Sequence, residues 1–173
     1  GPVSGIPFWL SQLAGGRTMT AVGGSDNHRP DKHGLGAVGA PVTVVFARDL
    51  TQAAILDGIR AGRSFVAIDP AMRPLHLDFT VHADGREAAM GGTLSMRRHQ
   101  GVSIVVDVTG PADSLLEILE GETVLARHAL RQGALQARYP LPSGTGVQVV
   151  RIQLRSADGR LLALGNAVRL QHD

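Results

Sequence analysis

The sequence predicts an α/β segment followed by an antiparallel β-sandwich. Two observations carry this. Over roughly the first seventy residues, short apolar runs alternate with helical patterns. Beyond them, apolar and polar residues alternate with a period of two, interrupted by Gly, Pro and Asp turns. The 173 residues are 43% apolar and 18% charged, the composition of a globular chain. Aromatics are only 3%, so the core must come mainly from Val, Leu, Ile and Ala.

In chain order, Pro7 to Leu13 reads as a short helix with proline in its first turn, ended by Gly15-Gly16. Thr18 to Val22 reads as a strand that runs into the loop Gly23 to His28. Pro41 to Phe46 is a second strand. The clearest helix follows, capped by Asp49 or Thr51, with Ala54, Ile55 and Ile59 at helical spacing and Gly62 as its stop. Ser64 to Ile68 is a third strand, broken by Asp69-Pro70. The boundary between residues 1–70 and 71–173 falls near Pro70 to Pro74.

In the second part, Leu75, Leu77, Phe79 and Val81 alternate with His76, Asp78, Thr80 and His82, giving a strand with one wet face. Val102, Ile104, Val106 and Val108 repeat the pattern. Leu115 to Leu119 and Glu122 to Arg127 flank Glu120-Gly121 as a hairpin. Val147 to Leu154, Leu161 to Leu164 and Ala167 to Leu170 complete an Ig-like series. Met72, Met90 and Met96 read as gap fillers or loop residues.

Several function classes recede on composition. The formal charge is only +2, with Lys32 the sole lysine, and no basic block is interleaved with aromatics, so nucleic acid is not an expected partner. No apolar run reaches the ~18 residues that span a bilayer, so no membrane role is expected. There is no cysteine, which excludes disulfides and thiolate zinc sites and leaves the compartment open. Gly1-Pro2 reads as a scar of tag removal, with the native N-terminal part lying upstream.

The densest polar cluster is the loop from Asp26 to His33. Two imidazoles and two carboxylates within eight positions suit Zn, Mn or Fe. Asp26 and His28 are i and i+2, so in an extended segment both side chains leave on one face. Gly23-Gly24 would let the backbone turn ahead of them. The same residues also read as a polar surface loop. His33 reads as a substrate group or a solvated loop histidine. Arg29 and Arg63 read as anion contacts or as ordinary ion-pair residues. His76, Asp78 and His82 share one strand face, either as a second metal site or as the wet side of an amphipathic strand.

Gly24-Ser25-Asp26-Asn27-His28, entered from an apolar strand, resembles the late GSD-x-H metal motif of the PHP (polymerase and histidinol phosphatase) superfamily. Trp9-Leu10, Gly16-Arg17, Gly39 to Thr43 and Ala54 to Val66 extend the resemblance to its CehA/McbA-like metallohydrolases over residues 7 to 68. The resemblance implies that the α/β segment is the last strands and helices of a distorted β/α barrel. It implies Asp26 and His28 as metal ligands, divalent Zn, Mn or Fe in the full-length parent, and hydrolysis of ester, amide or phosphoester bonds by hydroxide generated at the metal. The family's H-x-H motif is absent from this chain, and most ligands lie in earlier segments. The chain is therefore expected to be an inactive C-terminal part whose first seventy residues pack on the sandwich, swap with a second copy of the chain or pair with the missing N-terminal barrel, the parent taking a small-molecule substrate. The other reading is a non-catalytic sandwich for binding or assembly, with a degenerate metal loop.

Overall fold

The computed structural model describes residues 5–29, 31–69, 75–96, 101–142 and 144–172. Strand makes up 46% of the described residues and helix 13%. The described elements are helix α1 (Ile6–Ala14), β1 (Val42–Val45), α2 (Gln52–Arg60), β2 (Ser64–Ala67), β3 (His76–Ala83), β4 (Arg86–Ala89) and β5 (Thr93–Met96). They continue with β6 (Val102–Thr109), β7 (Leu115–Glu120), β8 (Thr123–Ala129), β9 (Ala134–Leu141), β10 (Val147–Arg155), β11 (Leu161–Gly165) and β12 (Val168–His172).

The strands form two facing sheets. The larger runs β1-β2-β11-β10-β12-β5, with β7 joined to β10 and β8 to β7. The smaller runs β4-β3-β6-β9. Every pairing is antiparallel except that of β12 with β5. The period-two reading is realised directly. Leu77, Phe79, Val81 and Ala83 of β3 and Val102, Ile104, Val106 and Val108 of β6 are buried against Leu116, Ile118, Ile152 and Leu154 of the other sheet. Met90 and Met96 are fully buried in the same core. Met72 and the boundary at 70–74 lie outside the described residues.

The expected α/β barrel segment does not form. β1 and β2 flank α2 as a barrel unit would, but they pair antiparallel with each other, and β2 pairs antiparallel with β11. The early strands thus extend the sandwich's own sheet. The barrel was implied by the resemblance alone, and the apolar run Phe65 to Ile68 is equally compatible with a parallel strand covered on both faces. Both faces are indeed covered, by different partners. Phe65 and Ala67 enter the sandwich core, while Val66 and Ile68 meet Trp9, Leu10 and Leu13 of α1.

Helix α1 forms as expected and buries that apolar stripe on the outer face of the larger sheet. Helix α2 is capped by Thr51, whose hydroxyl accepts from the Ala54 amide at 3.3 Å. Asp49 instead accepts from the Thr51 hydroxyl. The expected strand Thr18 to Val22 is absent. Its polar groups bond elsewhere than to a neighbouring strand: the Ala21 amide donates to Asn166 Oδ1 at 2.7 Å, and Thr20 Oγ1 donates to the Ile59 carbonyl at 2.9 Å. β9, with no counterpart in the sequence reading, carries Pro140 and is an edge strand, where proline is tolerated.

Candidate functional site

The loop after Val22 is anchored at its base and open at its tip. The Gly23 amide donates to Thr43 Oγ1 at 2.9 Å. A Cβ at Gly23 would stand 2.5 Å from Val66, so this glycine serves close packing. The left-handed backbone conformation falls at Asp26, with φ of 49°, which aspartate tolerates better than most residues. Asn27 pins the loop: its Nδ2 donates to the Gly36 carbonyl at 2.7 Å, and its Oδ1 accepts from the Arg29 amide at 2.6 Å.

This geometry projects Asp26 and His28 into solvent, with side chains 95% and 81% exposed. His28 Nδ1 lies 4.0 Å from the Asp26 carboxylate and 2.9 Å from the Asp26 carbonyl oxygen. A histidine whose Nδ1 donates to a carbonyl keeps Nε2 as its acceptor nitrogen, the tautomer common among metal-ligating histidines. Among the described residues no group of three His, Cys, Asp or Glu comes together, so neither His33 nor Asp31 completes a metal group with Asp26 and His28. Arg29 and His33 are exposed on the same loop. An apolar cavity of about 340 Å3, lined by Trp9, Met19, Val22, Gly23 and Gly24 among others, lies at the loop's base.

Arg63 is elsewhere. Its guanidinium makes two bonds to Asp78 and lies 4.6 Å from the centre of the Phe46 ring. His76, Asp78 and His82 do share the polar face of β3, but each has its own neighbour. His76 is 3.8 Å from Asp107, His82 is 3.4 Å from Glu87, and Asp78 holds Arg63. They form no metal group.

A second polar cluster escaped the sequence reading. Glu117 lies in the apolar run of β7 and is nonetheless buried. Gln153 stands opposite it on β10 and Arg127 on β8. Its carboxylate accepts from Arg127 Nε at 2.7 Å, Gln153 Nε2 at 2.6 Å and Arg155 Nε at 2.9 Å. Burial alone would raise the Glu117 carboxyl; the bonds from Gln153, Arg127 and Arg155 outweigh it and hold the group below its ordinary value. Arg151, only 3% exposed, donates Nε to the Gly121 carbonyl and Nη1 to Gln153. Burial pulls its guanidinium down to about 10, against the pull of Glu117. The available signal was a charged residue placed inside each apolar run, at Glu117 and Arg151.

No protein-family model and no curated protein matches the chain.

Proposed function

We propose that this chain is the C-terminal part of a metal-dependent hydrolase of ester, amide or phosphoester bonds, in which Asp26 and His28 supply two ligands of a divalent metal site. The observation that carries the reading is their proximity: two exposed donor groups on a pinned loop, with His28 Nδ1 4.0 Å from the Asp26 carboxylate and 2.9 Å from the Asp26 carbonyl oxygen. Zn, Mn or Fe suits such oxygen and nitrogen donors. A metal there supplies an activated water and a Lewis acid for the carbonyl or phosphoryl oxygen. A catalytic site usually needs about three protein ligands, so the remaining donors come from an upstream part of the parent, and the chain alone is inactive.

The apolar surface supports the same reading. Phe8, Val22, Leu35, Val38, Leu50 and Leu56 are exposed, Leu50 at 94%, all in the part of the chain that carries the loop, whereas the sandwich strands after it expose Val147. β1 lies at the end of its sheet. A missing barrel domain, or a second copy of the chain, would cover this surface. Elemental analysis tests the proposal on the full-length parent, with and without Asp26→Ala and His28→Ala together. The expected result is two or more metals per parent chain, some lost in the variant. A wild-type parent without metal would overturn it.

The second reading is a non-catalytic sandwich for binding. It is favoured by the position of the buried charged cluster, which lies on the sandwich and not on the loop.

A further inference from the structure

Helix α1 covers only part of the outer face of the larger sheet. Beyond Ile6 and Pro7 a groove of about 880 Å3 remains, floored by β7, β10 and β11, with the β8 hairpin as one wall. Glu117, Arg151 and Gln153 form its floor, each more than nine-tenths buried. We propose that this groove binds a small organic monoanion, a carboxylate on an aliphatic body, whose charge is received by Arg127, Arg151 and Arg155.

Three features argue for that ligand. The first is donor supply. Arg127 uses only Nε on Glu117; Arg155 uses Nε on Glu117 and Nη1 on the Gly159 carbonyl; Arg151 uses Nε and Nη1. Each guanidinium is fixed by its Nε while an Nη2 makes no bond to a described residue. Guanidinium groups held in this way lose little freedom on binding a carboxylate. The second is charge. Arg160 is already paired with Asp158, and the three other arginines face two carboxylates, Glu117 and Glu122. One positive charge is left over, which matches a monoanion better than a phosphate dianion. The desolvation that lowers the Arg151 guanidinium points the same way, because an added anion offsets it. The third is shape. Leu115, Leu119, Val124 and Leu161 supply apolar walls, and the volume is that of an ordinary small-molecule pocket, about 300–1,000 Å3.

This inference goes beyond the hydrolase reading and stands apart from it, since no atom of the 26–28 loop takes part. The test is a titration of the chain with octanoate, followed by NMR of the arginine Nε–H resonances, with inorganic phosphate and 1-octanol in parallel. Octanoate is expected to give saturable shifts at Arg151 and Arg155. Arg127→Gln, at an exposed position, is expected to weaken them at least tenfold, and Val124→Glu, which sets a carboxylate in the wall, to abolish them. An unchanged amide spectrum elsewhere shows that the variants fold. No saturable shift with octanoate, equal binding of phosphate or octanol, or octanoate affinity unchanged in both variants would each overturn the proposal.

Discussion

Arg63 and Asp78 are joined by a two-pronged ion pair, Nη1 to Oδ1 at 2.8 Å and Nη2 to Oδ2 at 3.0 Å, beneath which lies the Phe46 ring. The pair links the turn after α2 to β3 of the opposite sheet. Both side chains are only a quarter to a third exposed, so the pair is better shielded than a surface bridge. Arg63→Ala strands the Asp78 carboxylate and is expected to lower unfolding free energy by about 1–3 kcal/mol. Urea denaturation of Arg63→Ala, Asp78→Ala and the double variant measures the coupling. Strict additivity of the single effects would mean that the pair contributes nothing.

Asn166 secures the segment before the proposed metal loop. Its side chain is bonded to both polar backbone groups of Ala21 and to the carbonyl and hydroxyl of Ser64. Asn166→Ala leaves several of these groups buried without a partner, at about 1–3 kcal/mol each. The expected result is a Tm lower by several degrees and faster proteolysis between Arg17 and Arg29. Unchanged proteolysis of that segment would show that other contacts hold it.

Glu117 predicts an acid response. Its carboxyl lies below the ordinary value in the folded state, so its contribution is fully present above about pH 4.5 and is lost as pH falls through the depressed value. The unfolding free energy of the wild type is expected to fall on acidification below that point, with a shallower slope for Glu117→Gln. At neutral pH the same substitution costs about 1–3 kcal/mol, because two arginines lose a charged acceptor. Parallel slopes for the two proteins below pH 4.5 would refute the assignment.

Gly91 meets the end of α2 backbone to backbone. It has φ of 87°, and a Cβ there would stand 2.1 Å from the Ala61 carbonyl oxygen and 2.6 Å from Gly62 Cα. Gly91→Ala combines a left-handed strain with a clash against backbone, and is expected to cost more than about 3 kcal/mol. Gly85→Ala is the control: φ is also positive at 72°, but nothing lies within 4 Å of the added carbon. Thermal melts of the two should differ clearly.

The sandwich was legible because β3 and β6 each keep one face nearer to water. The alternation at Leu77 to Val81 and Val102 to Val108 fixes which side chains enter the core, and the structure buries those same residues. The early part was misread for the opposite reason. Ser64 to Ala67 is buried on both faces, and a continuous apolar run carries no information about the direction of its neighbours. Thr18 to Val22 has the composition of a strand, but its hydrogen bonds go to Asn166 and the α2 end, which no local pattern reports. Asp26 and His28 stand out in the sequence as an i, i+2 spacing, and the structure adds the contact of His28 Nδ1 with the Asp26 carbonyl oxygen. The Glu117 and Arg151 cluster was overlooked because each residue, taken alone, looks like an interruption of a strand.

The pairing of β2 with β11 also bears on how the chain is made. Ser64 and Asn166, bonded side by side in the finished sheet, are 102 positions apart. At about 5–20 residues per second, a ribosome needs about 5–20 s to travel that distance. Throughout that interval the β1–β2 pair has no β11 to join, and α1 lacks Val149, Leu164 and Ala167, the later half of the surface it rests on. The early strands, paired only with each other, must wait with one edge open for nearly the last segment to emerge. Closure of the larger sheet is therefore a late, non-local event of the slow kind. A chaperone that holds residues 42–68 during synthesis would act at the moment of greatest exposure.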